Sequence, residues 1–147
     1  PYLGERDAIE DAVQSATDAA PYVDKISINP VNVQKNTVVE KLWFRNEWTA
    51  PWLWSVVEVL ERCKDLPAKV YSDPTGGGTR RGAHNCNDCN SKILDALKEH
   101  RLGHGNLKGL ECECRPRWEV LKHQSSYRRN GAEPHGYGRG FGNGRRF

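Results

Sequence analysis

The chain has 147 residues, no methionine, 28% charged side chains and a mean hydropathy of −0.78, which leaves room for one ordinary domain, or for part of one with a small appendage. No apolar run approaches the ~20 residues of a membrane helix, and five cysteines without a signal-peptide pattern do not make a disulfide-dense secreted fold. The net charge of +3 is uneven: from Arg115 to Phe147 eight basic groups face two acidic ones, so this end carries +6 and residues 1–114 carry −3. No membrane association is expected. The expectation is a soluble, cytoplasmic protein in a reducing compartment, and the opening Pro1-Tyr2-Leu3 reads as that of a fragment or processed product.

From Glu5 to Ala20 the apolar residues Ile9, Ala12, Val13 and Ala16 recur at three-and-four spacing between polar ones, the pattern of an amphipathic helix that Pro21 stops. Tyr22 to Ile28 reads as a strand ending at Asn29-Pro30. The amide-rich, aperiodic stretch from Asn29 to Asn36 then makes a loop at the strand's C-terminal end, where α/β sheets and barrels place ligands. Thr37 and Glu40 form a T-x-x-E capping box ahead of a short helix. Four of the five tryptophans lie between Trp43 and Trp54, a density read as core and interface packing, with base stacking as the functional alternative. Pro51 is expected in the first turn of a second helix with a buried stripe of Leu53, Val56, Val57, Leu60 and Cys63. Ala68 to Ser72 is the next strand, so helices and strands alternate as in parallel α/β folds.

Beyond that strand, Asp73-Pro74-Thr75-Gly76-Gly77-Gly78-Thr79-Arg80-Arg81 combines backbone N–H groups, hydroxyls and two guanidiniums that could meet an anion. It is not a P-loop, since G-x-x-x-x-G-K-[ST] is absent; a flexible turn is the plainer reading. The strongest signal follows directly. Cys86 and Cys89 form a C-x-x-C, and Cys112 and Cys114 form a C-x-C, with 22 residues between the pairs. Four thiolates suit tetrahedral zinc, and close pairing lowers the entropic cost of gathering them. An iron–sulfur cluster takes the same ligands, and two disulfides are the bland alternative. Zinc is preferred because pair-and-pair spacing is typical of zinc ribbons. His84 is read as orienting a neighbour or facing the glycine loop rather than as a ligand. Between the pairs, Ser91 to His100 reads as a helix with Ile93, Leu94 and Leu97 on one face and Gly103 as its stop. The Gly/Arg/aromatic segment at the end, with Arg128, Arg129, Arg139, Arg145 and Arg146, cannot bury enough apolar surface to fold alone. It is expected to be disordered and suited to phosphate contact and base stacking on RNA, with a solvated, low-complexity terminus that has no specific partner as the alternative.

The blocks Ile28 to Gln34, Val39 to Trp43, Pro51 to Val57 and Ser72 to Gly82, followed by His84-Asn85-Cys86 and Cys89, resemble the C-terminal part of the archaeal radical S-adenosylmethionine proteins that form the beta subunit of archaeosine synthase. The resemblance spans roughly residues 22–118. It implies an α/β fold that is a partial (β/α) barrel of the radical S-adenosylmethionine type, with residues 1–85 its C-terminal strands and helices and 86–118 a four-cysteine metal-bound extension; the Gly/Arg tail, 119–147, expected to be disordered from its composition, lies outside the resemblance. The resemblance also implies a role in converting a lysine-adducted 7-deazaguanine base in tRNA to archaeosine by C–N cleavage, with tRNA and the alpha subunit as partners. The C-x-x-x-C-x-x-C motif that holds the [4Fe-4S] cluster of such enzymes does not occur here, so the cluster and S-adenosylmethionine are expected in the intact parent only, and this chain is expected to be inactive alone. On this reading Asn29, Asn32, Asp73, Thr75, Gly76, Gly77, Gly78, Arg80, Arg81 and His84 are candidates for substrate or S-adenosylmethionine binding. The competing expectation is a non-catalytic zinc-ribbon RNA-binding module, for which four cysteines and a basic tail suffice.

Overall fold

The structure, a computed structural model, describes residues 3–127. It is a small mixed helix/strand domain whose elements follow in the order α1 (Glu5–Ala19), a 3₁₀ turn (Ala20–Tyr22), β1 (Lys25–Ser27), α2 (Val38–Phe44), α3 (Leu53–Arg62), β2 (Lys69–Tyr71), α4 (Asn90–Leu102) and α5 (Arg115–Tyr127). β1 and β2 pair in parallel with Lys25 opposite Lys69, Ile26 opposite Val70 and Ser27 opposite Tyr71. The parallel α/β alternation expected from the sequence is present, but the sheet has two strands among the described residues, and no barrel closes within them.

Three boundaries differ from expectation. The strand expected from Tyr22 begins at Lys25, because Pro21 sits in a 3₁₀ turn that carries the chain to Tyr22. Pro51 lies outside α3, whose N-cap is Trp52; the Pro51 carbonyl instead accepts the His84 N–H at 3.1 Å and ties the metal-site approach to the helix entrance. α5 runs past Trp118 to Tyr127, so the segment expected as a disordered tail from 119 onward opens as a helix. Its first turns are held down by the buried Trp118 and by Lys122, whose ammonium pairs with Glu58 at 2.6 Å and Glu119 at 2.9 Å. The expected RNA contacts Arg128, Arg129, Arg139, Arg145 and Arg146 lie outside the described residues.

α3 is the centre of the core. Its expected stripe of Leu53, Val56, Val57, Leu60 and Cys63 is buried, and so are Trp54, Ser55 and Val59, so the helix is covered on almost every side. Ile9 and Ala16 of α1, Trp118 of α5, and Ile93 and Leu97 of α4 close over it. The same apolar cluster takes in Val70 of β2, Cys89, Leu107 and Leu110, so it is continuous across positions 85 and 86. The tryptophans largely follow the packing reading: Trp54 is 1% exposed, and Trp43, Trp48 and Trp52 are half-buried. No helix among the described residues is long and apolar enough to cross a membrane.

Candidate metal centre

Cys86 and Cys89 stand on the turn that enters α4, and Cys112 and Cys114 on the turn that enters α5. The four Sγ atoms lie within 4.8 Å of one another. Cys86 is 3.5 Å from Cys89 and 3.4 Å from Cys112, and Cys89 is 3.6 Å from Cys114. Four sulfurs at ~2.3 Å from one ion in a regular tetrahedron are about 3.8 Å apart, so the cluster fits a single tetrahedral ion with little adjustment. A four-iron cluster fits less well, since each cysteine would bind a different iron and the sulfurs would stand apart by the iron–iron separation as well. Two disulfides are not formed; all five cysteines are free thiols, and Cys63 is buried at the C-cap of α3 as a small apolar residue, outside the cluster.

The surroundings favour thiolates. Cys89 is the N-cap of α4 and Cys114 immediately precedes α5, so both pairs sit where helix N–H groups point and the helix dipole is positive. The Trp54 indole N–H donates to Cys114 Sγ at 3.2 Å. Burial pushes the Cys114 thiol up, but hydrogen bonds from Trp54, from backbone and from the neighbouring cysteines outweigh it and lower the pKa to about 7. Cys89 moves the other way: burial, with the other three cysteines beside it, holds its proton on. Four sulfurs this close cannot all ionise without a cation among them. Arg115 adds positive charge beside the site, its guanidinium 5.2 Å from the Trp54 ring centroid and donating to the Leu110 carbonyl at 2.7 Å.

Two asparagines that flank the C-x-x-C fasten it to the core. Asn85 Oδ1 accepts the Trp54 backbone N–H at 3.2 Å, one of the open donors of the first turn of α3. Asn90 Oδ1 accepts the Asn85 N–H at 2.7 Å. Both side chains are buried. The sequence reading missed Trp54, Asn85, Asn90, Gly82 and Arg115; the signal available was the symmetric N-C-x-x-C-N frame around the first cysteine pair.

The remaining sequence candidates gather at the C-terminal ends of β1 and β2, with parts that differ in availability. Asn29 Oδ1 accepts the Asp73 N–H at 2.8 Å and joins the two strand ends. Asp73 pairs with Arg101 of α4 at 2.9 Å. Asn32 packs over Gly76, where an added Cβ would stand 2.9 Å from its Nδ2. The glycine loop does not present a free cradle. The amides of Gly77, Gly78, Thr79 and Gly82 donate to the carbonyls of Pro74, Ala83, Gly76 and Thr79, and the Thr79 hydroxyl also binds the Gly76 carbonyl at 2.7 Å. Gly76 and Gly78 have φ of 69° and 78°, so the loop needs glycine for its own shape. Arg81 is a bracket: it pairs with Glu40 at 2.8 Å, donates to the Val33 carbonyl and lies 4.9 Å from the Trp43 centroid. His84 Nδ1 faces the Gly82 carbonyl at 2.9 Å and stands outside the four-cysteine cluster. Thr75 and Arg80 are exposed.

No family model matches the chain, and no solved structure gives a significant match. Among curated proteins it is 45% identical to archaeosine synthase subunit beta of Methanosarcina acetivorans over 126 residues, 82% of this chain, and 44% identical to the protein of that name from Thermococcus kodakarensis over 125 residues, also 82% of this chain. An uncharacterized protein of Methanocaldococcus jannaschii is 33% identical over 125 residues, 81% of this chain. The matched part is 36%, 39% and 34% of those relatives, so the chain spans little more than a third of their length. The resemblance carried by the sequence blocks is therefore real, and the chain corresponds to a partial region of the archaeosine synthase beta subunits.

Proposed function

We propose that the chain is the C-terminal, metal-stabilised portion of a tRNA-modifying enzyme of the radical S-adenosylmethionine class, one that works in the cytoplasm with an alpha subunit to convert a lysine-adducted 7-deazaguanine base to archaeosine. The observation that carries this reading is the 44–45% identity to two archaeosine synthase beta subunits across four-fifths of the chain. β1 and β2 then act as late strands of a (β/α) barrel whose other strands, with the cluster motif, come from the rest of the parent. S-adenosylmethionine and its cluster supply the radical chemistry of C–N cleavage when bound there. A two-stranded parallel sheet is a weak unit by itself, which agrees with such a partial assignment.

In this role the four cysteines hold one zinc ion that fastens α4 and α5 to the core, as a closed structural site. The spacing of the sulfurs and the absence of a fifth clustered ligand among the described residues support that role. Residues 1–85 form the barrel portion, 86–118 the metal-bound segment, and the basic segment beyond it contacts tRNA phosphates through Arg128, Arg129, Arg139, Arg145 and Arg146. At the strand ends Asn29, Asn32 and Asp73 shape the rim of the site. Thr75 and Arg80, exposed at the top of the loop, offer a hydroxyl and a guanidinium to substrate or tRNA phosphate, while Arg81 and the three glycines hold the rim in place.

The test is a chimera. The matched region of the Methanosarcina acetivorans subunit is replaced by residues 3–127 of this chain, and archaeosine in tRNA is measured by nucleoside mass spectrometry in a reconstituted reaction. Archaeosine formation is expected, with loss of most turnover in Arg80→Ala. A chimera that folds and binds its metal yet forms no archaeosine would overturn the assignment.

A further inference from the structure

Trp54 is the one residue of α3 that touches both halves of the cysteine cluster's frame. Its indole N–H reaches Cys114 Sγ at 3.2 Å, in the second pair. Its backbone N–H is taken by Asn85, the residue before Cys86 in the first pair. The ring is 1% exposed and covered by the Arg115 guanidinium. An indole N–H buried this deeply needs an acceptor, and the one it meets is Cys114 Sγ. A sulfur is a poor acceptor as a neutral thiol and a good one as the thiolate that a metal ligand must be, so the bond suits Cys114 in its metal-binding form.

We propose that Trp54 is a positioning residue of the metal centre, whose indole N–H orients the Cys114 thiolate, draws charge from it, and transmits metal occupancy to the central helix. The proposal rests on the reading of the four cysteines as one metal site. A tetrathiolate zinc site carries two net negative charges, and a donor to one sulfur disperses part of that charge while fixing the sulfur's lone pair toward the ion. Arg115 and the helix N-termini offset the charge through space, and the indole N–H reaches a sulfur directly. Outer partners of this kind are worth about 10–100-fold in metal affinity.

The experiment compares the 147-residue chain with Trp54→Phe, which keeps a large ring and removes the N–H, and with Trp118→Phe, whose lost donor serves Ser55 rather than a sulfur. Each metal-free chain is titrated with Zn²⁺ against a chromophoric chelator and with Co²⁺ to read the thiolate-to-cobalt absorption. Trp54→Phe is expected to bind zinc about 10–100-fold more weakly and to move the cobalt band to longer wavelength, because an undonated thiolate gives up charge more readily. Trp118→Phe should leave the band in place. In the unmutated chain loaded with cadmium-113, a scalar coupling between the metal and the Trp54 indole proton is expected across the N–H···S bond, which decides the matter even if Trp54→Phe does not fold. Unchanged zinc affinity with an unmoved band, or no coupling, overturns the role of Trp54 while the metal centre stands. An unmutated chain that binds neither Zn²⁺ nor Co²⁺ overturns both.

Discussion

A β-carbon on Gly82 would run into the Gly76 carbonyl oxygen, and the neighbouring Gly76 amide backbone leaves no room to turn aside. Backbone cannot move out of the way as a flexible side chain can, so Gly82→Ala has to prise open the turn from Pro74 to Ala83. The expected loss is about 1–3 kcal/mol, as for overpacking at a rigid contact, read as a lower urea midpoint at unchanged slope. The sequence showed the run Gly76-Gly77-Gly78 as the feature of interest, because three glycines in a row stand out. Gly82, alone between Arg81 and Ala83, carries the tighter constraint, and nothing local in the chain reveals that its partner is the backbone of Gly76. The same reversal applies to the paired arginines: Arg80 and Arg81 look alike in sequence, yet only Arg81 is drawn into the Glu40–Trp43 bracket.

α1, α3 and α5 meet through one carboxylate. Glu5 at the start of α1 accepts the Trp52 N–H at 3.1 Å and the Ser55 hydroxyl, and Ser55 in turn accepts the Trp118 indole N–H at 2.8 Å. Burial raises the Glu5 pKa above the ordinary 4.5, and its hydrogen bonds only partly offset this. The folded state therefore keeps a proton that the unfolded chain has already lost. The sign of the linkage follows: Glu5 lowers stability as pH rises from about 4.5 through its raised folded value. Glu5→Gln keeps an acceptor oxygen and has no charge to desolvate. Relative to the parent, its stability is expected to improve as pH rises above about 4.5, measured as the difference in urea midpoints; a difference that does not change with pH would refute this account. α2, by contrast, was readable without tertiary information. Thr37 Oγ1 accepts the Glu40 N–H at 3.1 Å as the capping pattern predicts, while the Glu40 carboxylate reaches the Asn36 N–H one position earlier than in the ideal box.

For the molecule as a whole, the cysteine cluster and the core pack as one unit, and a metal held there would tie the two into one cooperative unit. The apolar cluster contains Cys89 and is flanked by Cys86, Cys112 and Cys114, so removing an ion from the proposed site would leave four thiols packed together, two helices without their anchor, and an indole N–H with a weak partner. A chelator strong enough to take zinc is expected to unfold α4 and α5 together with the α3 core in a single transition, seen as coincident loss of helical circular dichroism and a shift in tryptophan fluorescence, and restored by added zinc. Loss of α5 alone with the core intact would show that the metal segment is a separate unit.

Helix existence, the strand–helix alternation and the four ligands could be read from the chain because each depends on neighbours a few residues away: apolar residues at helical period, a glycine after Leu102, cysteines two and three apart. The structure supports these readings, including the left-handed Gly103 stop at φ 84°. What the chain could not show is which long-range contacts would claim a side chain. Arg81 and Asp73 looked available to a ligand and are instead spent on the fold, because their partners lie 28 to 48 residues away in the chain, while the glycine-loop amides close on carbonyls 3 to 5 residues away. The convergence of Trp54 on Cys114 across 60 positions belongs to the same class. Local pattern determined the elements and the two cysteine pairs; only packing, which brings distant groups together and must satisfy buried donors, decided which residues gather at the candidate site and which serve the frame around it.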